Sequence, residues 1–154
     1  MLVVHGNYLS DEDIQFLAAH RDHMSVVYCP RTHAYFGHAP HPLPRLLAAG
    51  ITVALGTDSR ASNPDLSLLG EMRYIARHVP GISPADVLSL GTSQGMRALG
   101  LEGSGDLSVG SRADFAVIAL PDDGAEDALA DPHEAIFASD LPTIATYVAG
   151  ERCE

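Results

Sequence analysis

Three short apolar runs, separated by longer segments with helical spacing, are the feature that most restricts how this chain can fold. The runs cover residues 2–4, 25–29 and 51–55. Apolar runs that alternate with helical segments are typical of β-α units around a parallel sheet. The third run is almost continuously apolar, as in a strand that is covered on both faces. We therefore predict the α/β fold class, with three β-α units in residues 1–102.

Two serines carry the signals that start helices. Ser10 is followed directly by three acidic residues, and Ser83 is followed by a proline and then, at the third position, by Asp86. A serine cap, an early proline and acids in the first turn all favour a helix start. The first of these helices is expected to run to about His23. A further helix is predicted over residues 66–79, where apolar residues recur at helical spacing.

Two other segments differ from this repeat. Residues 31–44 contain three histidines and three prolines and are predicted to form an ordered loop. Beyond residue 103, glycines and short β-like runs replace the helices, so residues 103–154 are predicted to be a separate β-rich segment. Within it, residues 121–134 form an acidic, alanine-rich link, and residues 144–148 are expected to be the last strand.

Charge restricts the partners of this chain of 154 residues. Its formal net charge is −11, and all nine basic residues are arginines. Nucleic acids and anionic membranes are therefore not expected as partners, because both require a basic surface. No apolar run approaches the roughly 18 residues of a membrane span, and no basic region precedes the first apolar run, as an export signal would require. Two cysteines form no disulfide framework, so a cytoplasmic location with free thiols is expected.

The residues that follow the apolar runs are the first candidates for chemistry. The predicted strand ends fall at His5, Cys29 and Asp58, and chemistry collects at the carboxyl ends of strands in parallel α/β proteins. A single histidine or aspartate in such a place can equally be a cap or a turn former. Cys29 has no evident partner and is interpreted as a packed thiol.

Four segments resemble one known family. They are GITVALGTDSRAS at residues 50–62, CPRT at 29–32, GDL at 105–107 and GSRADFAVI at 110–118. Together with the histidine that ends the first run, they resemble the metal-dependent amidohydrolases. The most similar branch holds chlorohydrolases, guanine and cytosine deaminases, and adenosine-type deaminases. The resemblance implies the last three units of a TIM-type (β/α) barrel, followed by a β segment of the accessory sandwich.

The resemblance also implies roles for particular residues. Asp58 matches the aspartate that ligates a divalent metal, most often zinc, and shares the proton of the metal-bound water. His5 matches the histidine beside the metal that polarises the substrate or the attacking hydroxide. Ser62 stands where a polar residue supports this arrangement and is expected to bind substrate, and His33 is the residue of its loop expected to touch substrate. The implied reaction is hydrolysis of a carbon-nitrogen bond, as in deamination of a small cyclic or nucleobase-like compound.

Two features of the family have no counterpart in this sequence. They are a pair of histidines separated by one residue, and a histidine followed three residues later by a glutamate, each at a strand end. Catalytic zinc usually has three protein ligands, so the chain alone is expected to be inactive. We expect it to need the missing N-terminal half or self-association. The alternative is a truncated, non-catalytic relative that acts as a binding or interaction domain.

Other polar residues have two interpretations. His33, His38 and His41 lie within nine residues and could form a second metal cluster, but their spacing fits no recurrent ligand pattern, so an ordinary loop is the simpler interpretation. Glu71 and Arg73 lie on the helix that follows the third run. They are expected to form an exposed salt bridge.

Overall fold

The structure is a computed structural model that describes residues 1–101, 103–120, 131–138 and 140–153. Its strands are β1 (Leu2–Val4), β2 (Ser25–Tyr28), β3 (Val53–Leu55), β4 (Phe115–Ile118), β5 (Thr143–Val148) and β6 (Glu151–Arg152). Its helices are α1 (Asp11–Ala19), α2 (Pro30–Tyr35), α3 (Leu43–Ala48), α4 (Leu68–His78), α5 (Pro84–Gly91), α6 (Ser93–Ala98) and α7 (Pro132–Ala138). This mixture confirms the α/β class.

The first three strands form one parallel sheet in the order β1-β2-β3. Val3 pairs with Val26, and Val27 pairs with Ala54. All three strands run in the same direction, so their carboxyl ends lie at one edge of the sheet. The amide of His5 continues the ladder beyond β1 by donating to the carbonyl of Val27 at 2.8 Å.

The predicted helix starts at Ser10 and Ser83 agree with the structure. The Ser10 hydroxyl accepts from the amide of Asp13, whose carboxylate accepts from the amide of Ser10, and this forms a capping box. The Ser83 hydroxyl accepts in the same way from the amide of Asp86. Both helix starts therefore follow from local sequence chemistry.

Two boundaries differ from prediction. Helix α1 ends at Ala19 instead of near His23, because the next four residues are exposed and give another turn no core to pack on. The segment 31–44 is not all loop, since α2 begins at Pro30, whose fixed backbone angle suits the first position of a helix. This short helix starts directly after β2 and carries His33 inward.

The core lies between the parallel sheet and its helices. Its fully buried members, in chain order, are Val26, Leu43, Leu46, Val53, Ile75, Val87 and Leu90. Strand β3 is buried at every position, as its apolar run predicted. Strand β1 differs, because Leu2 and Val4 are exposed. One face of this edge strand therefore has no cover within the described part of the chain.

The C-terminal part forms a second, antiparallel sheet in the order β4-β5-β6. Phe115 pairs with Tyr147, and their rings stack with centroids 4.5 Å apart. The predicted link at residues 121–134 lies partly outside the described residues, and its end belongs to α7. Arg73 of α4 holds the segment around α7 by donating to the carbonyls of Ile136 and Leu141. None of the described helices has the length and apolar character needed to cross a membrane.

Candidate active site

His5 and Asp58 come together at the carboxyl edge of the parallel sheet. The Nε2 atom of His5 lies 3.9 Å from Oδ2 of Asp58, and the side chains are 41% and 34% exposed. Both residues adopt a positive φ, at 69° and 55°, a conformation that is uncommon for residues other than glycine. The arrangement places an imidazole and a carboxylate side by side on a surface that solvent and ligands can reach.

A buried histidine holds the main chain of His5. Nε2 of His41 donates to the carbonyl of His5 at 2.8 Å, and the His41 ring stacks on Tyr28 with centroids 3.8 Å apart. Burial lowers the pKa of His41 to about 4, so its ring is neutral near pH 7 and carries its proton on Nε2. Its Nδ1 atom is buried and has no hydrogen-bond partner. His41 therefore acts as a fixed donor to the end of β1.

The main chain before Asp58 is held from two sides. The Asn63 side chain donates to the carbonyl of Thr57 at 2.7 Å, and the Thr32 hydroxyl lies 3.4 Å from the same oxygen. The hydroxyl of Ser62 lies 3.0 Å from that of Thr32, and both side chains are buried. Ser62 is thus linked to the Asp58 turn through Thr32, while its supporting role in the site and its contact with substrate stay predictions.

Glu71 connects these segments. Its side chain is fully buried, at 0% exposure, and its carboxylate accepts from the amide of Arg31 at 2.9 Å, from Nε of Arg31 at 2.6 Å and from Asn63 at 2.6 Å. The Arg31 guanidinium also binds Asp65, and its hydrogen bonds lower the pKa of that carboxyl to about 2. The network joins the start of α2, the loop after β3 and helix α4.

The predicted exposed salt-bridge roles of Glu71 and Arg73 are wrong. Glu71 pairs with Arg31, and Arg73 is buried against the segment around α7. The sequence did hold a signal for Glu71, which lies three residues after Leu68 and four before Ile75, and so shares the apolar stripe of α4. Nothing local indicates that Asn63 would be its partner.

His33 is buried, and both of its ring nitrogens have partners within the chain. Nδ1 lies 2.9 Å from the amide oxygen of Asn7, and Nε2 lies 2.8 Å from the carbonyl oxygen of Ala39. A substrate or metal contact would require His33 to give up one of these bonds. Its role in substrate binding therefore stays a prediction.

Cys29 is packed at the end of β2, as predicted. Its side chain is buried, and burial raises the pKa of the thiol to about 11. A Cβ atom on Gly56, at the end of β3, would lie 3.2 Å from its sulfur. The close approach of these two strand ends depends on that glycine.

The donors at this edge suit a divalent metal but do not complete a site. Catalytic zinc usually takes three protein ligands, drawn from histidine, cysteine and carboxylate side chains. The described residues hold no group of three such side chains placed to bind one ion. Asp58 supplies one group of the right chemical type, with the His5 imidazole beside it, so the described part of this chain offers a portion of a metal site.

The parallel α/β unit, with a histidine and an aspartate at its carboxyl edge, is an arrangement at which α/β enzymes collect their catalytic residues. The chain belongs to the amidohydrolase family, whose model matches residues 1–153. It is 40% identical, over 122 residues, to the 5-methylthioadenosine/S-adenosylhomocysteine deaminase of Desulforudis audaxviator. It is 36% identical, over 127 residues, to the protein of the same name from Pyrococcus furiosus.

Similar solved structures include a deaminase and a chlorohydrolase. An adenosine deaminase from Xanthomonas campestris with bound zinc superposes on 98% of this chain with a TM-score of 0.85 and 26% identity. The atrazine chlorohydrolase of Arthrobacter aurescens complexed with zinc gives 0.82 and 26% over 98% of this chain. The match spans 36% and 35% of those two structures. The regions matched by the two curated relatives cover 74% and 78% of this chain, and they make up 28% and 30% of those relatives.

Proposed function

We propose that this chain supplies Asp58 and His5 to a metal-dependent amidohydrolase that hydrolyses a carbon-nitrogen bond, releasing ammonia from a small cyclic or nucleobase-like compound. The observation that carries the proposal is the pair itself, an imidazole 3.9 Å from a carboxylate at the carboxyl edge of a parallel sheet. Membership of the amidohydrolase family supports it. The names of the curated relatives favour an adenosine-type compound as substrate.

The two residues have different tasks in this proposal. Asp58 would contribute one oxygen ligand to a divalent metal, most simply zinc, the metal bound in two similar structures. A bound zinc ion supplies a nucleophile at neutral pH by lowering the pKa of a water molecule to about 7. The imidazole of His5 is exposed beside that carboxylate and can pass a proton toward the leaving amine as a general acid.

In this proposal, the active protein contains more strands than this chain. We assign residues 1–102 to the last three units of a (β/α) barrel, and residues 103–154 to a β segment of the accessory sandwich. The exposed side chains of Leu2 and Val4, and the incomplete ligand set, support the need for a missing N-terminal part or for self-association. The chain alone is expected to be inactive.

A chimera tests the proposal. The part of the Desulforudis audaxviator protein that lies outside the matched segment would be joined to this chain, and the product assayed for zinc and for ammonia release from S-adenosylhomocysteine. We expect a zinc-containing, active chimera, and loss of both properties in Asp58→Ala. Asp22→Asn, which changes an exposed acid on the turn after α1, is the matched control.

Two results would reject the proposal. The first is a well-folded chimera with neither zinc nor activity, which would favour the alternative of a non-catalytic binding domain. The second is an active chimera in which Asp58→Ala leaves zinc content and turnover unchanged. Zinc content and activity of the 154-residue chain, measured in parallel, test whether it acts by itself.

A further inference from the structure

We infer that Asn63, oriented by Glu71, is the positioning residue that fixes the Asp58 carboxylate at the edge of the sheet. The inference rests on the proposed function for its catalytic consequence, but its structural part concerns this chain alone. Asn63 is only 4% exposed and does not reach the surface where His5 and Asp58 lie. It acts through the peptide group that precedes Asp58.

The first step concerns that peptide group. The carbonyl of Thr57 belongs to the same planar unit as the amide nitrogen of Asp58. Asn63 holds this carbonyl with a hydrogen bond of 2.7 Å. The φ angle of Asp58 is the rotation about the bond from its amide nitrogen to its Cα atom, so it is measured relative to this plane. At 55° the angle lies in the left-handed region, which is unfavourable for a residue with a side chain. A fixed plane therefore helps to hold Asp58 in a conformation that it would otherwise leave.

The second step concerns the orientation of the Asn63 amide. A carboxylate only accepts hydrogen bonds, so the contact of 2.6 Å with Glu71 requires Asn63 to turn its NH₂ group toward it. The same NH₂ group has a second proton, which is donated to Thr57. If Glu71 were uncharged, the side-chain amide of Asn63 could rotate by half a turn, and its oxygen would then face the Thr57 carbonyl. The charge on Glu71, together with the amide of Asp65, which donates to the Asn63 amide oxygen at 3.4 Å, thus decides which end of Asn63 faces the turn.

The third step concerns the cost of that charge. A buried carboxylate loses its hydration, and a well-packed apolar replacement is often as stable as a buried ion pair. Glu71 is compensated by Arg31, whose guanidinium is itself held by Asp65. The chain therefore maintains a buried charge, a counter-charge and a second acid around one asparagine. Orientation of the Asp58 turn accounts for this arrangement.

A pair of variants separates positioning from general stability. In Asn63→Asp, the new carboxylate cannot donate to Thr57 and also repels Glu71. In the double variant Asn63→Asp with Glu71→Gln, the like-charge repulsion is gone and the Gln side chain can donate to the Asp side chain. That amide group then faces an N–H group of Arg31, and Thr57 still lacks its donor. A structural role predicts that the double variant recovers part of the stability and function in the same measure. A positioning role predicts that it recovers part of the stability and none of the function.

Two measurements decide the result. In the 154-residue chain, NMR of the Thr57 and Asp58 backbone should show that Asp58 leaves the positive φ region in both variants. In the chimera, zinc affinity or kcat should fall about 10- to 100-fold in both, as is typical when a partner of a metal ligand is removed. Asp86→Asn, in the cap of α5, is the control and should change neither property.

The outcomes separate this inference from the proposed function. An active chimera that loses activity in Asp58→Ala but keeps it in both Asn63 variants would overturn the inference alone. Recovery of kcat in the double variant would reduce Asn63 to a structural role and overturn it as well. If the parent chimera were inactive, the proposed function would fail, and the NMR result would still decide whether Asn63 fixes the Asp58 turn.

Discussion

The side chains of His5 and Asp58 meet at 3.9 Å although strand β2 lies between the strands that they follow. In a parallel sheet, the strand ends lie at one edge, and the two side chains must lean across the middle strand to meet. The left-handed backbone at both residues makes this inward turn. Each turn is held by a buried side chain, which is His41 for His5 and Asn63 for Asp58.

The first prediction separates the two members of this pair. In the chimera, His5→Asn should lower kcat about 10²- to 10⁴-fold, the range for loss of a general acid or base, while zinc content stays near that of the parent. Asp58→Asn should lower zinc content as well as kcat. Zinc analysis and ammonia release measure the two effects, with the exposed His23→Asn as control. Equal loss of zinc in His5→Asn would contradict the division of roles.

The second prediction concerns acid stability. Burial lowers the pKa of His41 to about 4, and burial also lowers that of His33. The unfolded chain then binds more protons than the folded chain between pH values of about 4 and 6.5, so stability falls as the pH drops through this window. His41 alone accounts for about 3 kcal/mol of the loss.

Urea unfolding at several pH values would measure this dependence. His41→Gln should flatten the slope of the unfolding free energy against pH in that window, because the titrating ring is gone. His23→Gln, at an exposed position, should leave the slope unchanged. A parent chain whose stability is constant down to a pH of about 4 would contradict the burial of a neutral His41.

The strands and the helix starts could be predicted because their causes are local. Apolar runs at residues 2–4, 25–29 and 51–55 place the parallel strands, and Ser10 and Ser83 bond with residues three positions away. The end of α1 and the start of α2 were missed. In both places, the outcome depends on what the segment packs against, which a local pattern does not contain.

The candidate site divides in the same way. His5 and Asp58 could be proposed because they follow strands, and the sheet topology alone brings strand ends together. The roles of His41 and Glu71 were missed because their partners, His5 and Arg31, lie 36 and 40 residues away along the chain. The role of Asn63 was missed because it depends on burial beside Glu71. The Glu71 carboxylate, for example, is bound by Arg31 from the segment after β2. Burial of a polar side chain depends on such distant partners.

The third prediction concerns the buried ion pair. Glu71→Ala leaves the Arg31 guanidinium, which is 14% exposed, without its buried partner. Removal of one member of a buried pair costs about 3–5 kcal/mol, and we expect a loss of that size in the free energy of unfolding. Asp11→Ala breaks the exposed pair with Arg45 and should cost less than about 1 kcal/mol. Similar losses for both variants in urea unfolding would contradict the buried network.

The fourth prediction uses the two cysteines to test the packing of the strand ends. Cys153 is exposed, whereas Cys29 is buried and has a thiol pKa raised to about 11. A thiol reacts through its thiolate, so Cys29 should be unreactive because it is buried and because its pKa is raised. An aromatic disulfide reagent should label roughly one thiol quickly in the folded chain and the second only in denaturant. Cys153→Ser should abolish the fast phase, and Cys29→Ser should leave it unchanged. The Cys29 sulfur is packed against Gly56 so closely that a Cβ atom on Gly56 would lie 3.2 Å from it. Fast labelling of Cys29 in the folded chain would therefore show that the ends of β2 and β3 are not packed together.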